Sequence, residues 1–139
     1  MGDYTGIRFT AKLKANVAKA MRVATDRITL KKEGSMNAWW TVISYMTDVP
    51  VDSSFMLDGR RDFIPFGGIV YMPQDWVQHD AISCDNDDTW KVSCSLKNYN
   101  NTISRFLESA LPYMIEEPCE VETHYEMDDA SKFFTILPR

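Results

Sequence analysis

Apolar and polar residues alternate in two stretches of the chain, and each stretch gives way at a Leu-Lys pair to helical spacing. In IRFTAKLKANVAKAMRVA the alternating set is Phe9, Ala11 and Leu13, followed by Val17, Ala20, Met21 and Ala24. In WKVSCSLKNYNNTISRFLESA it is Val92, Cys94 and Leu96, followed by Ile103, Phe106, Leu107, Ala110, Leu111 and Met114. The pattern predicts a strand-to-helix unit twice. Asn101 stands where an N-cap of the second helix belongs, and Pro112, which cannot donate a backbone hydrogen bond, should kink or end that helix. Beyond Pro118, residues 119–127 alternate again, and KFFTIL, Lys132 to Leu137, reads as a last strand across an MDDAS turn. The C-terminal part is thus expected to be β-α-β-β.

The region between the two units is less regular. GSMNAWWTVISYM satisfies the helical template through Met36, Trp39, Trp40 and Ile43 and the strand template through Trp40, Val42 and Ser44. The helix is favoured, with Ser35 as its cap. DVPVDSSFMLDGRRD reads as a turn-rich connector, FIPFGGIVYMP as an edge or bulged strand because of Pro65 and Gly67-Gly68, and residues 73–88 as a loop. No composition break divides the chain, so residues 1–139 are read as a single α+β domain. Its sheet is expected to be antiparallel or mixed, with helices packed mainly on one face.

Composition agrees with such a domain: 139 residues, 45% hydrophobic and 25% charged, suffice to bury one core. No apolar run reaches the length of a membrane span, and MGDYTGIRFTAKLK lacks a signal-peptide core. Cys84, Cys94 and Cys119 are odd in number and lack CxxC spacing, which suits reduced thiols in the cytoplasm. Charge changes the picture more. Residues 1–61 carry ten Lys/Arg against six Asp/Glu, whereas residues 62–139 carry five against fourteen, within a net charge of −5. Such an asymmetry concerns fields and partners.

The richest candidate for chemistry is CEVETHYEMDD, where Glu120, Glu122, His124 and Glu126 share one face of a strand. Carboxylates and imidazole so placed could bind a divalent ion or perform acid/base work, so a metal-dependent enzyme on the Glu122/His124/Glu126 face is one reading. The opposite positions Cys119, Val121, Thr123 and Tyr125 form the apolar side of a half-buried strand, which favours a solvent face instead. Zinc spacing is absent among the Cys and His residues. CDNDDTW fails the EF-hand pattern, with Trp90 and Leu96 where Gly and Glu belong, and reads as an Asx-rich turn entering a strand. Phosphate-loop, dinucleotide, hydrolase-elbow and zinc-protease motifs are missing, and no cofactor is implied.

Two surfaces remain as partner sites. Arg60, Arg61 and Trp76, with Trp39, Trp40 and Tyr71, are of the residue types that anchor interfaces. Through Trp39/Trp40 and Tyr71/Trp76 they could also support self-association in a larger assembly. The acids Asp85, Asp87, Asp88, Glu116, Glu117, Glu120, Glu122, Glu126, Asp128 and Asp129 are spaced closely enough to imitate a phosphate array. They favour a basic or nucleic-acid-binding protein as partner, and a sequence pI near 4.9 disfavours direct nucleic-acid binding. In size and charge alone the chain is similar to small acidic inhibitors encoded by phages and other mobile elements, including anti-restriction and anti-CRISPR proteins. That similarity implies a non-enzymatic inhibitor of a host nucleic-acid-binding defence protein.

Overall fold

The computed structural model describes residues 4–28, 39, 42–46, 49, 51, 64, 73, 75–79, 81–98 and 101–139. Alternation fixes four strands, β1 (Tyr4–Lys12), β2 (Thr89–Lys97), β3 (Cys119–Tyr125) and β4 (Lys132–Ile136). They form one antiparallel sheet in the order β2-β1-β3-β4. Each of the first two strands runs into a helix, α1 (Ala15–Ile28) and α2 (Thr102–Ser109), and a short helix α3 (Leu111–Met114) follows α2. The chain is a small α+β fold. Among the described residues no helix is long and apolar enough to cross a membrane.

Register puts Ile7 beside Cys94 and Thr123, and Phe9 beside Val92 and Val121, so one sheet face is apolar across three strands. The helices supply Val17, Met21 and Ala24 from α1, Phe106 from α2, and Leu111 and Met114 from α3 to the same core. Its centre is aromatic. Phe9, Trp39, Trp90 and Phe106 pack with ring centroids 5.4–6.2 Å apart, mostly edge to face, an arrangement worth more than area burial alone. Trp39 and residues 42–45 are helical, in line with the expected helix over 36–46.

Two expectations change, and the break expected near Pro112 is found. Asn101 is not a side-chain cap: it adopts the left-handed conformation (φ 58°), and Asn98 Oδ1 accepts the Ile103 N–H at 2.8 Å instead. The helix breaks at Ala110, ahead of Pro112. The proline then occupies the first turn of α3, where its missing N–H has no partner to lose. Trp39, offered as an exposed anchor, is fully buried and donates its Nε1–H to the Ile64 carbonyl, because a ring in the middle of an aromatic cluster removes most apolar area from water. Ser35, Trp40, Arg60, Arg61 and Tyr71 lie outside the described residues, as does FIPFGGIVYMP apart from Ile64 and Pro73.

Candidate protein-binding face

The other face of the sheet is built from the intervening positions. Ser93 on β2, Arg8 on β1, Glu122 on β3 and Phe133 on β4 stand in one row across all four strands. Ser95, Gly6 and His124 form the next row. A groove of about 700 Å³ runs over this face, with Arg8, Lys91 and His79 toward β2 and Glu120, Glu122 and Phe133 toward β4.

Trp76 closes part of the face. Its ring is 7% exposed, and the Arg8 guanidinium lies over it, 4.4 Å from the centroid. The close approach needs Gly6, because a Cβ there would stand 3.1 Å from Trp76 Cζ3. Trp76 is therefore not the exposed anchor its residue type suggested: a glycine beneath and an arginine above give it an intramolecular seat. Next to it, His79 exchanges both backbone hydrogen bonds with Ser93 and shields part of the β2 edge.

The face of β3 divides into engaged and exposed acids. Arg8 Nε donates to Glu122 Oε1 at 2.7 Å, and Ser131 Oγ donates to Glu122 Oε2 at 2.6 Å. His124 Nδ1 stands 3.1 Å from Ser131 Oγ, and since the hydroxyl proton is given to Glu122, the imidazole is the donor in that contact. Glu126 Oε1 accepts the Tyr4 N–H at 2.6 Å, and its own N–H donates to the Tyr4 carbonyl at 3.0 Å. Glu122, His124 and Glu126 thus tie β3 to β1 and to the β3–β4 turn. Among the described residues no group of three or more His, Cys, Asp or Glu side chains is placed to hold a metal ion.

Glu116, Glu117, Glu120, Asp128 and Asp129 are exposed and make no ion pair among the described residues. Glu120 accepts one hydrogen bond, from Thr135 Oγ1 at 2.5 Å. Glu116 and Glu117 precede β3 and Asp128 and Asp129 follow it, so acids mark both ends of a seven-residue strand spanning about 23 Å. The Asp85–Asp88 turn is different. Asp85 Oδ1 accepts the Thr89 and Asp87 N–H groups at 3.0 and 2.9 Å, and the Thr89 bond above all holds its carboxyl below the ordinary value. Asp88 is paired with Arg22 of α1. These two acids shape the entry to β2, as expected of an Asx-rich turn.

Cys84, Cys94 and Cys119 form no disulfide. Cys94 and Cys119 are buried and Cys84 half-buried. Burial, with Glu120 as a lesser cause, pushes the Cys119 thiol up to about 11. The exposed aromatic residues that residue-type reasoning missed are Phe133 and Phe134, at 68% and 42% exposure on β4. A signal was present: adjacent phenylalanines on a strand face opposite sides, so one of them must leave the core. No family model, no curated protein and no solved structure matches the chain.

Proposed function

We propose that the protein is a non-enzymatic binding module whose β3 face engages a basic protein partner. The observation that carries this is the row of exposed acids Glu116, Glu117, Glu120, Asp128 and Asp129, at and beyond both ends of one strand, which form no ion pair among the described residues. Unneutralised carboxylates at this spacing steer a cationic surface and fix its register. A surface that normally contacts phosphates is the natural complement. An inhibitor that occupies such a surface on a host defence protein, as phage and mobile-element products of this size and charge do, is the specific form of the reading. Three cysteines outside any disulfide suit a reducing compartment such as the cytoplasm.

The test is capture from the native host's lysate with and without nuclease, eluted by a salt gradient. The reading expects a protein partner that survives nuclease and leaves as salt rises through the range where the Debye length falls below about 8 Å. Recovery of nucleic acid alone, or of a partner indifferent to salt, would contradict it.

A further inference from the structure

β4 is the last strand of the sheet, and no strand lies beyond it among the described residues. Its first four residues are exposed. Such an edge is a template for another chain, and proteins usually blunt it with proline, a bulge or inward charge. KFFTI has no proline and no bulge in its register, and its one charge, Lys132, stands on the core face at the start of the strand, leaving Phe133 to Ile136 without one. Phe133 and Phe134 instead present apolar rings on the two faces, and the polar-face groove opens toward β4 at Phe133.

From this geometry we infer that an extended, basic segment of the partner adds to β4 as a fifth strand. The inference rests on the reading of the acidic face and supplies its mode of docking. Register specifies the segment. Thr135 stands beside Glu120 on the polar face and already donates to it. A Lys or Arg opposite Thr135 on the added strand would reach across the small threonine, a distance of about 10 Å from strand to strand, and meet Glu120. Opposite Phe134, on the core face, the segment needs an apolar side chain, and opposite Phe133 the aliphatic stem of a second Lys or Arg covers the ring. Main-chain bonds would supply affinity and these alternate positions selectivity, as in other strand additions.

A second copy of this chain fits less well. Each copy carries a net charge of −5, and Lys132 pairs with Thr123 on the core face. In an antiparallel pair of β4 strands no base of the second copy comes opposite Thr135, and Glu120 gains no counter-charge.

The experiment uses the full chain with three capped octapeptides as probes: alternating Lys-Val, alternating Glu-Val, and Lys-Val with every backbone nitrogen methylated, so that neither edge can donate. Amide exchange of residues 132–136 is followed by NMR. The Lys-Val peptide is expected to slow exchange of the outward β4 amides at least about tenfold, and the other two to leave it unchanged. Equal binding by the methylated peptide would overturn strand addition while leaving the charge reading intact. So would protection that maps away from β4, or no protection at millimolar Lys-Val peptide. Protection that rises with protein concentration without peptide would assign the edge to a second copy and equally overturn the inference. Failure of the charge reading itself would show separately, as a captured partner insensitive to salt.

Discussion

Glu120 and Glu122 are two positions apart on one face of one strand and do different work. Glu122 has both oxygens occupied, by Arg8 and by Ser131, whereas Glu120 is exposed and, among the described residues, bonded through its side chain to Thr135 alone. Neutralising Glu122 would therefore disturb the fold as well as any partner, and Glu120 is the cleaner reporter. Below them, Cys119 illustrates burial acting on a titrating group. Its thiol is neutral in the fold up to about 11, while an unfolded thiol ionises near 9.0. Between those values the folded state holds the extra proton, so stability is complete below pH 9 and falls as pH rises toward 11. Urea titrations at pH 8 and pH 10.5 are expected to show that loss, and Cys119→Ala to reduce it. At residue scale the sequence was only partly legible. Alternation correctly placed Glu120, Glu122 and His124 outward, but nothing in it disclosed Arg8 over Trp76, a contact made possible by Gly6 and by the return of a loop more than sixty residues later.

The elements were more legible, because their periods are local. Both strand-to-helix units and the β-α-β-β end appear as expected, and the turn at Asp85–Asp88 is held by its own side chains. What failed were details decided by loop geometry. Asn98, lying outside the helix, caps α2 from five residues away, while Asn101 is bent into a left-handed conformation that asparagine tolerates better than most residues. Asn98→Ala should accordingly cost about 1 kcal/mol by leaving the Ile103 N–H without its acceptor. Asn101→Gly should be neutral or slightly stabilising, and Asn101→Ala should cost about 1 kcal/mol, all measured by urea unfolding. The edge character of β4 also escaped the pattern. The FF pair requires one ring to leave the core, and the sheet order, with β3 the one strand beside β4 among the described residues, leaves both Phe133 and Phe134 exposed.

At the scale of the whole molecule the division of charge becomes a division of space. One sheet face meets the helices around an aromatic core; the other carries Arg8 and Lys91 on β1 and β2 and the acids on β3. Arg8 offsets Glu122 across the boundary between them and leaves Glu120 and the acids at the two ends of β3 without an ion pair among the described residues. Trp39 and Trp76, which look like interface anchors in a linear reading, belong to the core and to an intramolecular stack, so recognition falls to the acids and to the β4 edge. The central claim is that position, and not net charge alone, determines binding. It is tested most directly by the affinity of the captured partner for three forms of the protein: the natural chain, Glu116→Gln/Glu117→Gln/Glu120→Gln, and Glu108→Gln, which removes a charge from an exposed position of α2. The account predicts a loss of at least about thirtyfold for the triple variant, more than about threefold per charge and steeper at low salt, and a change within about 1.3-fold for Glu108→Gln. An unchanged affinity for the triple variant, or equal losses per charge removed in the two variants, would contradict it.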